Sequence, residues 1–510
     1  MVKYDYIVVG AGAAGCVAAA RLSADPGRSV LLIEAGPADD DPRIARPVAW
    51  PQLLGGDLDW GYRTAPQAEL HGRRLAWPRG RVVGGSGAIN AMVHILGAAS
   101  DFDAWARWGG DLWTADRMLP LFDEIFDETE AAGGPDEPAR IPVAANPRPH
   151  PFADAFVTAA QKYGLPANLD FNRGTQEGVG LYRTTRTGDR PGAPARRANT
   201  AYTHLRPALG RANLTVLPDA TVLNVVVERG RATGVLVRHG GESRTITADA
   251  EILLCAGTVS TPHLLMLSGV GPAAELAGVG VPVAVHLPGV GRNLHDHLQV
   301  SLAYDTTTGH PVDDRSNLGE AGGFITLLPG SPAPDVQLSF APMKNLNNAS
   351  HLGRGFTIGP AITRPRSRGR LTLNTADPAA HPRIDPAYLS DPNDLEILVE
   401  GVRIALDIAG TDPLGDLTCG PPPVAGTSRW RLEEYVRDNA ETQFHPVGTC
   451  RLGRETDEEA VVDPRLRVRG VTGLRIADAS VIPSMITGNV HAAVAAIGLR
   501  AAEFMREDHG

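Results

Sequence analysis

The apolar residues of this chain fall into blocks of two kinds. Near the start, "DYIVVGAGAAGCVAAARLS" passes from a short apolar run to glycine and then to a long series of small residues. A short apolar run closed by glycine predicts a strand buried on both faces, followed by a turn and a helix. "SVLLIEAG" (29–36) predicts a second such strand. Residues 213–257 contain several β-rich runs parted by turn residues, and end in "EILLCAG", a further buried strand meeting glycine. Between 301 and 440 the pattern changes to frequent prolines, short β-like runs and one helical stretch, "DLEILVEGVRIALDIAG" (394–410). The chain then returns to strand, turn and helix in "GLRIADASVIPSMITGNVHAAVAAIGLRAAEFM". "PRGRVVGGSGAINAMVHILG" (78–97) predicts an extended loop that presents backbone amides, and the Pro- and Gly-rich segment 133–150 a surface connection.

The first block carries a specific chemistry. In Gly10-x-Gly12-x-x-Gly15 the first glycine makes the turn, the second lets backbone approach a pyrophosphate, and the third lets helix and strand pack closely. The helix N-terminus offers free N–H groups to the phosphates. Glu34 ends the second strand about 20 residues on, where a carboxylate binds ribose hydroxyls. The pattern predicts a dinucleotide without choosing between FAD and NAD. It also predicts a dinucleotide domain built from discontinuous pieces, with a second domain inserted between them.

Composition narrows the partners. A length of 510 residues suits two domains better than one. The net charge of −10 argues against nucleic acid or an anionic membrane as the main partner. The arginines of "RPRSRGR" (364–370) fit a solvated loop better than a phosphate site. Cys16, Cys255, Cys419 and Cys450 are widely spaced and form no CxxC pair, which predicts neither zinc nor a disulfide framework. With no signal-like N-terminus and no apolar run of spanning length, a cytoplasmic location is expected.

Four groups compete as reactive centres. Ser86 in "GGSGA" lacks the second glycine of a nucleophile elbow, because position 88 is alanine. In "LHDHL", His295 and His297 face one side of an extended segment, but no further ligand cluster accompanies them, so no metal site is expected. In "FHPVGTC", Pro446 restricts His445 to an extended backbone. Gly448 there is expected to permit close approach of a flat ligand. His491 opens a helix of small residues with Asn489 as its expected N-cap, so a helix N-terminus and an imidazole coincide. Each histidine alone suits a packed core as well as catalysis. Two on rigid turns in a dinucleotide protein favour catalysis.

The chain resembles the glucose–methanol–choline (GMC) oxidoreductases, and among them choline-dehydrogenase-like bacterial members. The resemblance runs from about residue 3 to residue 505, through "DWGYRTAPQ", "GRVVGGSGAINAMV", "GTVSTPHLLMLSGVGP", "LPGVGRNLHDH", "EAGGF", "RPRSRGRLTL" and "FHPVGTCRLG". It implies an α/β, two-domain fold. A Rossmann-like FAD domain would comprise 1–155, 195–300 and 440–510, and an antiparallel-sheet substrate domain 156–194 and 301–439. It implies FAD, with ribose at Glu34, the flavin loop at Gly85, Ser86 and Asn90, and further contacts at Val222, Asp478 and Ala479. Some members attach FAD through a histidine where this chain has Ile89, so non-covalent FAD is expected. It further implies oxidation of a primary alcohol by hydride transfer to flavin N5, with His445 as base and His491 as its partner. Electrons would pass to oxygen or a quinone-type acceptor. Hydroxynitrile lyases, which keep FAD without redox turnover, are the alternative. Phe444 and Glu320 are substrate-pocket candidates, Glu320 matching a cation-binding carboxylate of choline-oxidising members. "NLHDH" becomes a structural motif, and His94 a packing residue.

Overall fold

The computed structural model describes residues 3–128, 140–187, 195–344, 352–424 and 426–509. The apolar runs form a seven-stranded sheet. Its order is Ala220–Glu228, Arg231–His239, Glu242–Leu254, Lys3–Val9, Val30–Ile33 and Leu214–Leu217, with Leu474–Ile476 also pairing on Glu242–Leu254. The central strands are parallel, and the two hairpin pairings at the edge are antiparallel. Every side chain of Val30–Ile33 is buried, as expected of a strand covered on both faces. The small residues of the helix Ala13–Leu22 let the C-terminal helix Val490–His509 come very close. A Cβ at Gly498 would lie 2.5 Å from the carbonyl oxygen of Ala14.

The second sheet has eight strands, all paired antiparallel. Its order is Thr418–Cys419, Leu302–Thr306, Gly355–Ile362, Val336–Ala341, Ala321–Ile325 and Gly178–Leu181. Leu298–Val300 joins Gly355–Ile362 to Ala440–Thr442. Both of these short strands lie outside the segments expected to build this sheet: Leu298–Val300 follows directly on His297, and Ala440–Thr442 leads into the turn at His445. The expected break at 155 likewise falls within the helix Pro151–Tyr163. The helical stretch expected at 394–410 is Pro392–Ala409, capped by the Asp391 carboxylate, which accepts from the Asn393 N–H at 2.9 Å.

One expected connection is partly a strand. Within 133–150, Ile141–Ala145 pairs with Arg183–Thr185 and Phe126–Asp127, while 133–139 lies outside the described residues. In the arginine run, Arg366, Arg368 and Arg370 are exposed, and Arg364 pairs with the buried Asp335 at 2.9 Å. Among the described residues, no helix is long and apolar enough to cross a membrane.

Candidate active site

A cavity of about 630 Å³ runs from the ends of the parallel strands to the face of the antiparallel sheet. Gly10, Gly12, Glu34, Val222, Gly85, Ser86, Asn90, Asp478, Ala479, Phe444, His445 and His491 all line it. Gly15 lies behind them, as its packing role requires.

At one end the glycine turn is built as the fingerprint demands. Gly10 has φ +99°, and a Cβ there would sit 2.5 Å from the Cys255 carbonyl oxygen. A Cβ on Gly15 would come within 1.9 Å of the Gly10 carbonyl oxygen. Gly12, by contrast, has open space on its Cβ side, with only the Cys255 oxygen 3.9 Å away, and it precedes the first helical residue. That leaves free N–H groups on an open cradle, which fits a pyrophosphate. The Glu34 carboxylate accepts from the N–H groups of Ala11 and Gly36, each at 2.9 Å. Burial raises its pKa to about 7 against the pull of those amides and Arg81. Each oxygen keeps a second lone pair, as ribose hydroxyls would need. Asp478 accepts from the Gly257 N–H at 2.9 Å, the Thr261 hydroxyl at 2.6 Å and the Ser480 N–H at 2.8 Å. It thereby ties the helix Gly257–Leu267 to Ala479.

The loop 78–97 closes over this turn. A Cβ on Gly85 (φ +53°) would approach the Gly12 Cα to 2.8 Å, so the two glycine segments touch backbone to backbone. Ser86 Oγ accepts from the Gly80 N–H at 3.2 Å. Asn90 Oδ1 accepts from Met92 N–H at 3.0 Å and from Arg197 Nη1 at 2.6 Å. Arg197 is buried, donates also to the carbonyls of Ile44 and Gly87, and forms no ion pair with a described residue. A cation held only by carbonyls beneath the loop escaped the sequence reading, which offered no motif for it.

At the other end, the turn carrying His445 is held by Asp296. Its Oδ1 accepts from the His445 backbone N–H at 2.8 Å, and its Oδ2 from the hydroxyls of Thr442, at 2.5 Å, and Tyr388. Thr442 Oγ1 in turn accepts from the Phe444 N–H at 2.7 Å. Phe444 has φ +66°, unusual for a bulky residue, and its carbonyl takes a hydrogen bond from Arg79 at 2.5 Å. The His445 ring contacts His297, Nδ1 to Nδ1, at 3.0 Å, and Asn489 Nδ2 at 3.2 Å through Nε2. Burial, then His297 and Arg79, hold His445 well below the usual imidazole range. It is therefore neutral near pH 7.

Three expectations change. Gly448 (φ +94°) accommodates protein: a Cβ there would meet Asn293 O at 2.5 Å and His295 Cε1 at 2.9 Å. Asn489 does not cap its helix through its side chain, since Oδ1 has no partner among the described residues and the amide nitrogen is spent on His445. Glu320 is turned away from the cavity. Its carboxylate accepts from Asn146 Nδ2 at 2.8 Å and the His150 N–H at 2.6 Å, while Leu318 and Gly319 before it line the cavity. His94 packs on Phe126 and contacts Glu128 at 3.2 Å. His491 lies in the first turn of its helix, with Nε2 unpartnered among the described residues and 3.0 Å from where a Gly87 Cβ would be. Burial, His94 and Arg197 lower its pKa to about 4. Among the described residues, no His, Cys, Asp and Glu group could hold a metal.

The chain is similar over nearly its whole length to proteins of one kind. It is 37% identical to an alcohol dehydrogenase [acceptor] of Pseudomonas putida, across 98% of this chain and 95% of that one. It is also 37% identical to mitochondrial choline dehydrogenase of Homo sapiens, across 99% and 90%. The crystal structure of pyridoxine 4-oxidase from Mesorbium loti superposes with a TM-score of 0.90 at 34% identity, covering 99% of both chains. Family models described as GMC oxidoreductase match residues 4–299 and 365–498. With the glycine cradle at one end of the cavity and the histidine turn at the other, the chain belongs to the GMC oxidoreductase family.

Proposed function

We propose that the protein oxidises a small, uncharged primary alcohol to the aldehyde, with His445 taking the hydroxyl proton. One observation carries this reading: a neutral imidazole stands on the wall of the cavity whose far end is a dinucleotide cradle. FAD, when bound, supplies the two-electron acceptor chemistry. Glu34, the amides after Gly10, the loop at Gly85, Ser86 and Asn90, and Val222, Asp478 and Ala479 would hold it. Ile89 lines the cavity with a hydrocarbon side chain that cannot bond a flavin, which supports non-covalent FAD. Denaturing the protein and filtering it should leave the flavin in the filtrate; flavin retained on the chain would overturn that point.

The chain's own groups do the rest. His445 accepts the proton, a role that contributes a factor of about 10² to 10⁴. His491 holds the same oxygen from the helix N-terminus. Phe444, Trp50 and Phe340 exclude water, and Gln443 presents an Oε1, unpartnered among the described residues, for a second polar group of the substrate. With Glu320 engaged by Asn146 and His150, a quaternary ammonium finds no carboxylate from that position. The test is anaerobic mixing with aromatic and aliphatic primary alcohols, choline included, followed by flavin absorbance. Bleaching by uncharged alcohols supports the proposal. Bleaching by choline alone overturns the substrate class, and cyanohydrin cleavage without bleaching by any alcohol overturns the reaction. Admitting air afterwards separates an oxidase, which recovers colour quickly, from a dehydrogenase.

A further inference from the structure

The hydrogen bonds around His297 determine which nitrogen of His445 is bare. His297 Nε2 lies 2.8 Å from the carbonyl oxygen of Thr363 and 3.1 Å from that of Ile486. Carbonyl oxygens only accept, so this nitrogen carries the hydrogen. The ring is fully buried and neutral, and a neutral imidazole has one N–H, so His297 Nδ1 is an acceptor. The 3.0 Å contact between the two Nδ1 atoms then needs its hydrogen on His445. That leaves His445 Nε2 bare, which matches its neighbour, the Asn489 amide nitrogen, a donor at 3.2 Å.

We infer that His297 is a positioning residue that fixes His445 in its Nδ1–H form, so that Nε2 meets the substrate as a lone pair. The inference rests on the reading of His445 as the base. Free histidine in water favours the opposite form, with the hydrogen on Nε2, which would confront a substrate hydroxyl with a donor. The Asn489 contact is at the long end of hydrogen-bond distances, and a substrate hydroxyl displaces it. When Nε2 takes the hydroxyl proton, His445 becomes an imidazolium, and its Nδ1–H stays bonded to His297. A carboxylate in place of His297 would hold the same tautomer but make the base far more basic. A neutral histidine sets the direction and leaves the basicity low. "NLHDH" is thus a two-handed grip: Asp296 takes the backbone of His445 and His297 takes its ring.

The experiment is ¹⁵N NMR of the FAD-loaded, ¹⁵N-histidine-labelled enzyme, with the His445 signals assigned by their loss in His445→Gln. The expected wild-type pattern is a protonated Nδ1 and an unprotonated Nε2 at pH 7. A protonated Nε2 on neutral His445 overturns the inference, whatever the activity. His297→Asn, whose amide oxygen can replace the acceptor, should keep the pattern and most of the rate of flavin reduction. His297→Leu should reverse the pattern and lose about 10² to 10⁴ of that rate, the worth of the base itself. An unchanged pattern in His297→Leu overturns the inference. Should the wild type show the expected pattern while no alcohol reduces its flavin, the proposed reaction fails and the tautomer assignment stands.

Discussion

The two ends of the cavity are built in different ways. The dinucleotide end comes largely from one strand–turn–helix–strand unit, residues 3–34, in which each working residue is a few positions from the next. The other end, proposed as the catalytic one, brings together Arg79, Asp296, His297, Thr442, His445 and Asn489 from widely separated stretches. Local geometry makes the first; long-range hydrogen bonds make the second. The two ends should therefore fail separately when each is damaged.

The largest effect is expected from His445→Ala. No hydrogen bond joins its ring to the glycine turn, so the variant should purify with its flavin and reduce it about 10² to 10⁴ times more slowly. Stopped-flow absorbance with a reducing alcohol checks this. Reduction at the wild-type rate would remove His445 from the chemistry. Loss of flavin with the rate would mean that the two ends are one structural unit.

The ends should also answer pH with opposite signs. Burial gives His297 and His491 pKa values of about 4 against 6.5 unfolded, so the unfolded chain binds more protons between pH 4 and 6.5. Stability from this end falls as pH falls through that window. Glu34 is raised to about 7 from 4.5, so here the folded chain binds the extra proton, and stability falls as pH rises from 4.5 to 7. Each group is worth about 3 kcal/mol at full effect. In protein freed of cofactor, Glu34→Gln should gain stability relative to wild type as pH rises from 4.5 to 7, while His491→Asn should gain it as pH falls from 6.5 to 4. Melting temperatures across pH 4 to 8 report both. The same sign for both variants would contradict the assigned environments.

This difference also explains what was legible in the sequence. Gly10, Gly12, Gly15 and Glu34 could be placed from spacing alone, because a tight turn and a buried strand impose that spacing. His445 stood out through the proline that follows it. Asp296 and His297 were legible only as a structural run without a metal partner, since nothing local says that 296 and 445 are neighbours. Glu320 misled for the same reason. Its place in a familiar run was readable, but which way its side chain turns depends on Asn146 and His150, far away in the chain. Arg197 gave no signal, because a buried cation satisfied by carbonyls has no pattern of its own.

Gly15→Val attacks the local end alone. Its first side-chain carbon would overlap the Gly10 carbonyl oxygen, and backbone there cannot yield as a flexible side chain would. Overpacking of this kind costs about 1–3 kcal/mol, which taken from FAD binding is about 5- to 150-fold in retention. The protein should emerge poor in flavin. Once loaded with excess FAD, it should reduce that flavin near the wild-type rate, because the grip on His445 lies elsewhere. A slow rate at full loading would show that the glycine turn also positions the reacting atoms.

The smallest effect is expected at His491, the part of the histidine end that faces the flavin loop. Its Nε2 has no hydrogen-bond partner among the described residues and faces the loop at Gly87. With a pKa of about 4 it contributes a hydrogen bond and not a charge. Asparagine can still present an N–H from the first turn of the helix, so His491→Asn should lose less than one hydrogen bond's worth, under about 1 kcal/mol or at most roughly fivefold in the rate of reduction. His491→Ala, which removes the donor, should lose more. If His491→Asn fell as far as His445→Ala, the two histidines would act as one proton-handling pair. The base could then no longer be assigned to His445 alone, and the separation of a local dinucleotide end from a long-range catalytic end would have to be redrawn at this helix.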